Sequence, residues 1–198
     1  MKNFRLFFLL IGLLLWAQGV LAQAIYFGIP SGSFSPYAKA QFGSQWCWAA
    51  SMEMIFNFYG VNISQAEIVN RTYGGLVDFP GGPEIITANL NNLSIDQSGR
   101  VYRVSAQYGW GVPDPIRLIN TLAVQQPIMI GYNTGSSAHA VVVTACSYVN
   151  TALGPQITSL VVRDPFPTPQ NIANQGRVEY LGVDLGPRII GYWFVRID

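Results

Sequence analysis

Gln41-Phe-Gly-Ser-Gln-Trp-Cys47-Trp-Ala-Ala-Ser51 places one cysteine where a helical pattern begins and one glutamine six residues before it. From Cys47 onward, Met52, Ile55, Phe56 and Tyr59 recur at the spacing of a single helix face, and Gly60 follows as a stop. Cys47 is therefore expected in the first turn. Unpaired amides and the positive end of the helix dipole there favour a thiolate over a thiol. A free cysteine is commonly just a small buried apolar residue, so the rest of the chain has to decide. The Gln41 to Cys47 spacing suits a sulfur nucleophile with a side-chain donor for a developing oxyanion.

The sequence holds a single histidine, His139, which opens the strand-like run Ala140-Val-Val-Val-Thr-Ala-Cys146-Ser-Tyr148. A nucleophile needs a base, and only one imidazole is present to supply it. The run leads into the turn formers Asn150-Thr-Ala-Leu-Gly-Pro155, after which Ile157-Thr-Ser-Leu-Val-Val162 reads as a returning strand. In an antiparallel hairpin centred near Ala152, facing positions sum to about 304, which brings Asp164 and Pro165 level with His139 and Ala140. Asp164 is then placed to orient the imidazole, although Asp before Pro is also an ordinary turn pair. Asn150 falls at the far end of the hairpin.

Taken in order, Gln41, Cys47, His139 and Asp164, with Trp46-Cys47-Trp48-Ala49-Ala50 and His139-Ala140-Val141-Val142, resemble the papain-like cysteine peptidases. The narrower likeness is to the compact bacterial branch that includes secreted effector proteases and bacteriocin-processing peptidases. It spans most of the chain from about Gln41 onward. It implies an α+β papain-like fold, with an N-terminal helical half carrying the nucleophile at a helix N-terminus and packed on a C-terminal antiparallel sheet. It also implies Cys47 as nucleophile, His139 as general base and acid, Asp164 as orienter, and Gln41 with the Cys47 amide as oxyanion hole. Two departures stand out: the Cys-Gly-Ser-Cys-Trp signature of the plant and lysosomal branch is missing, and Asp stands where that branch carries Asn.

Lys2 and Arg5 precede an apolar run from Leu6 to Ala17, and Val20-Leu-Ala22-Gln-Ala24 supplies small residues for a signal peptidase. Residues 1–24 are thus expected to be a signal peptide cleaved after Ala22 or Ala24, leaving 25–198 as one peptidase domain, secreted or periplasmic. The apolar run is shorter than the roughly 20 residues of a bilayer span, and no cysteine near the cleavage site suggests a lipid anchor. The stretch before Gln41 is short for an inhibitory pro-domain. With 11% charged residues and a formal net charge of +1, the chain has no electrostatic footprint for nucleic acid or anionic lipid. The expected partner is a peptide or protein substrate. The sequence names no inhibitor or immunity partner.

Cys146 lies seven residues beyond His139, about 23 Å along a strand, too far for a bridge to a Cys47 that meets His139. It is expected to face away from His139 and to pack in the core. One histidine and two separated cysteines form no ligand cluster, so no metal or other cofactor is expected.

Ser64-Gln-Ala-Glu67 reads as a capping box with Ile63 and Ile68 as its staple, starting a helix to about Asn70. Pro83 and Pro115 start further helices, the first running to about Asn91, the second ending before Pro127. Ile128–Tyr132 and Ile189–Val195 read as strands, and Pro165–Gly176 as a long loop beside the site. Trp46 and Trp48 flank the nucleophile as candidate substrate-binding walls, with core packing as the alternative, especially for Trp48. Three rival functions are a cell-wall peptide hydrolase, an acyl transferase with the same residues, and a silent binding module.

Overall fold

The computed structural model describes residues 23–198, so the expected signal peptide, apart from its last two residues, lies outside them. The elements are β1 (Ile25–Gly28), a helical turn Ser31–Phe34, α1 (Cys47–Phe58), α2 (Gln65–Tyr73), α3 (Pro83–Asn89), β2 (Asn92–Ile95), β3 (Val101–Trp110), α4 (Pro115–Ala123), β4 (Ile128–Asn133), β5 (Ala138–Thr151), β6 (Gly154–Arg163), α5 (Pro169–Ala173), β7 (Arg177–Leu181), a turn Gly182–Leu185 and β8 (Ile189–Ile197). The strands form one antiparallel sheet in the order β2-β3-β8-β4-β5-β6-β7. β1 pairs with residues 145–148 of β5 and continues the edge that β4 leaves after pairing with 138–143. Strand β1 therefore joins a sheet whose other strands all lie beyond residue 91.

Helices cover both faces of this sheet, so β5 is apolar without alternation. Ala140 and Val142 pack with Trp48, Met52, Ile55 and Phe56 on the α1 side. Val141 and Val143 pack with Leu118 and Leu122 of α4 on the other. Every residue of α1 from Trp48 to Phe56 is buried, Ser51 and Glu53 included. The helix is thus enclosed on all sides, where a one-face stripe was expected.

Local chemistry explains the helix ends. Ser64 Oγ accepts from the Glu67 amide at 3.2 Å, the expected capping bond. α2 runs three residues past the expected Asn70, helped by the Arg71 to Glu67 ion pair at 2.6 Å, and ends at Gly74 with φ +73°. Asp114 Oδ1 caps α4 by accepting from the Arg117 amide at 2.8 Å.

The β5–β6 hairpin forms one position from its expected register, with Thr151 facing Gly154 and Val142 facing Arg163. Irregularities at Val143/Ala145 and Ser147/Tyr148 offset each other. The first reverses the alternation of β5, so Cys146 joins Val141 and Val143 on one face. That corrects the expectation that it faces away from His139: Thr144 acts as an extra residue, and parity counted from His139 fails beyond it. Cys146 is nevertheless buried and free, and burial pushes its thiol up to about 12.

Candidate functional site

Cys47 is the first residue of α1, so its amide belongs to the turn whose N–H groups lack helical acceptors. The loop before it is held from two sides. Gln41 Nε2 donates to the carbonyls of Gly43 and Ser44, both at 2.9 Å. Asp78 accepts from the Ser44 amide at 3.1 Å, the Ser44 hydroxyl at 2.7 Å and the Gln45 amide at 2.8 Å. These bonds, the Ser44 hydroxyl foremost, hold the Asp78 carboxyl below the usual range. A Cβ at Gly43 would lie 2.6 Å from Asp78 Oδ1, so this close approach requires glycine. Trp46 Nε1 donates to the Val77 carbonyl at 2.8 Å and Trp48 Nε1 to that of Phe79 at 3.2 Å. Segment 77–79 is thus fastened residue by residue to the nucleophile loop.

His139 enters from the start of β5, opposite Tyr132 of β4. Its Nε2 lies 2.7 Å from Asp164 Oδ1, just past the end of β6. Asp164 Oδ1 also accepts from the Phe166 amide at 2.8 Å, and the Asp164 amide donates to the Gly176 carbonyl at 2.7 Å. Tyr132 and Phe166 meet the imidazole edge to face, with centroids 5.6 and 6.3 Å away. With Nε2 on Asp164, Nδ1 is the ring nitrogen left for Cys47. Burial alone would lower the His139 pKa, but the hydrogen bonds to Asp164 and then to Cys47 outweigh it and raise the group from 6.5 to about 9. The Ser51 hydroxyl, donating to the Ala140 carbonyl at 3.1 Å, ties α1 to the strand that carries His139.

Two hollows meet at Cys47 and His139. One, of about 560 Å³, is walled by Gln41, Ser137, Asp164, Phe166, Thr168 and Asn171. The other, of about 240 Å³, is walled by Trp48, Gly81, Ile86, Tyr108, Trp110 and Trp193. Gln41, Cys47, His139 and Asp164 therefore come together in one cleft, while Trp48, 1% exposed, packs in the core behind the smaller hollow, as the core-packing alternative had it. Trp46 is buried under the nucleophile loop and lines neither hollow. Residues 165–176 are partly helical, and their side chains form a wall of the larger hollow. The amide hydrogens of Gln41 rest on loop carbonyls, while its Oε1 is buried without a partner.

Several residues of the site escaped the sequence reading. Tyr108 and Trp110 come from β3, whose alternation was readable, and Asp78 from a loop with no local pattern. Among the described residues no group of three or more His, Cys, Asp or Glu gathers to hold a metal ion.

The model of the Peptidase_C39 like family matches residues 32–180. Among solved structures, the chain is similar to the peptidase domain of Streptococcus ComA, a bi-functional ABC transporter involved in a quorum sensing pathway. The two are 13% identical, the match covers 80% of this chain and 95% of that one, and the TM-score is 0.49. No curated protein matches.

Proposed function

The chain belongs to the Peptidase_C39 like family and is a papain-like cysteine peptidase acting on peptides or proteins; from that premise we propose that it is an exported enzyme working through a Cys47-His139-Asp164 triad. The observation that carries the triad is the 2.7 Å bond from His139 Nε2 to Asp164 Oδ1, beside a cysteine that opens a helix in the same cleft. Export rests on the leader-like residues 1–24 alone.

In the proposed reaction His139 takes the Cys47 proton and Sγ attacks the substrate carbonyl. The oxyanion is met by the Cys47 amide and by Gln41, one of whose hydrogens leaves a loop carbonyl as the charge develops. Such bonds commonly tighten only in the substrate complex. His139 then protonates the leaving amine, and the thioester is hydrolysed by a water that His139 activates. Asp164 holds the imidazole so that Nδ1 faces the sulfur.

The aromatic hollow favours an apolar side chain near the scissile bond. Apart from the catalytic Cys47 and His139, its lining holds no Asp, Glu, Lys or Arg to pair with the ionic termini of cell-wall peptides. The test incubates wild type and Cys47→Ala with apolar fluorogenic peptides, unfolded protein and purified peptidoglycan under reducing conditions. Wild type alone should cleave the first two and leave peptidoglycan intact. Muropeptide release without proteolysis would make the chain a cell-wall hydrolase, and cleavage by Cys47→Ala would remove the nucleophile.

A further inference from the structure

Gln65 is fully buried and Glu53 is 7% exposed, in a seam between α1 and α2 formed by Met52, Ile68 and Val69. Polar side chains in such a place need partners that justify their burial. Glu53 Oε2 accepts from both the Gln65 amide nitrogen of the main chain and Gln65 Nε2, each at 3.0 Å. Because that oxygen is an acceptor, it decides which way the Gln65 carboxamide faces. Nε2 turns toward Glu53, where it also donates to the Ala40 carbonyl at 3.0 Å. Oε1 is left to accept from the Phe42 amide at 2.8 Å.

Ala40 and Phe42 are the neighbours of Gln41 on either side. The Gln41 amide itself donates to the Pro165 carbonyl at 2.8 Å. Both polar ends of the peptide before Gln41 and the amide of the peptide after it are thus fixed, two of the three by Gln65. Neither Gln65 nor Glu53 lines the cleft, so neither can touch substrate. The geometry points to Gln65, with its orientation set by Glu53, as the positioning residue that aims the Gln41 side chain at the oxyanion.

This rests on the role proposed for Gln41, and a double-variant cycle separates the two. Gln41→Ala should lower kcat about ten- to hundredfold with KM little changed. That is less than the roughly hundred- to thousandfold of a fully committed donor, since Gln41 must first release a carbonyl. Gln65→Met should lower kcat by a similar factor, and the pair should be no worse than Gln41→Ala alone, because a residue that acts through Gln41 has nothing left to act on. Alkylation of Cys47 by iodoacetamide, which forms no oxyanion, should keep its wild-type rate in all three.

Gln65→Leu likewise removes both polar ends at similar volume and adds no second carboxyl beside Glu53; it should behave the same way and serves where Gln65→Met does not fold. Losses that multiply in the pair, or alkylation that slows in step with hydrolysis, would overturn the positioning role. A wild-type kcat in Gln41→Ala would overturn the role of Gln41 itself. Activity in Cys47→Ala would instead remove the triad reading.

Discussion

Asp164→Ala is expected to lower kcat by two to four orders of magnitude, of the order seen when a catalytic imidazole loses its orienter, while the fold survives. Asp164 makes the contact that fixes Nε2 and leaves Nδ1 toward Cys47. It also receives the Phe166 amide and anchors to Gly176, so a loosened 165–176 wall should add a modest rise in KM. Asn150→Ala, at the far end of β5 opposite Pro155, should retain wild-type activity. The control matters because an amide is the orienter in the plant and lysosomal branch. Steady-state kinetics on an apolar peptide decides between them, and the opposite pattern would place the orienter on the wrong residue.

His139→Ala should cost more, because it removes both the base for the thiol and the acid for the leaving amine, about three to six orders of magnitude in kcat. The wild-type pH profile carries a second signature of the same group. The protonated imidazole persists up to about 9, so the basic limb of kcat/KM is expected near that pH. In Asp164→Ala the limb should move to lower pH, since the strongest bond favouring the charged ring is gone. The linkage to stability has the same sign. The folded-state pKa lies above the ordinary 6.5, so the stability contributed by His139 is complete below about 6.5 and is lost as pH rises through about 9. Thermal unfolding of wild type against His139→Ala should therefore converge above that range. A basic limb unmoved by the Asp164 change would mean that another group titrates.

How far the site could be read beforehand depended on the range of the interactions involved. Cys47 was legible because helix periodicity and the stop at Gly60 are local. His139 was legible because no other imidazole exists. Asp164 followed from the hairpin register, which tolerated an error of one residue because the contact lies just beyond the end of β6. The same counting failed for Cys146, where the irregularity at Val143/Ala145 is invisible in a run of valines and alanines. Trp46 and Trp48 look equivalent in sequence, and both are buried, Trp46 beneath the loop and Trp48 in the core behind the smaller hollow. β1 pairs with a strand more than a hundred residues away, and nothing in Ile25–Gly28 announces that partner. Gln65 and Asp78 were out of reach for a related reason. Each looks like an ordinary polar residue, near a helix start or in a loop, until distant backbone groups close on it.

The claim on which everything else stands is that Cys47 is the one reactive sulfur. Intact-protein and peptide mass spectrometry after treating the purified, reduced protein with an epoxysuccinyl inhibitor decides it. A single adduct on Cys47 is expected, appearing in step with loss of peptidase activity, with buried Cys146 modified only after unfolding. An adduct on Cys146, a native Cys47–Cys146 bridge, or complete labelling of Cys47 with activity retained would contradict it.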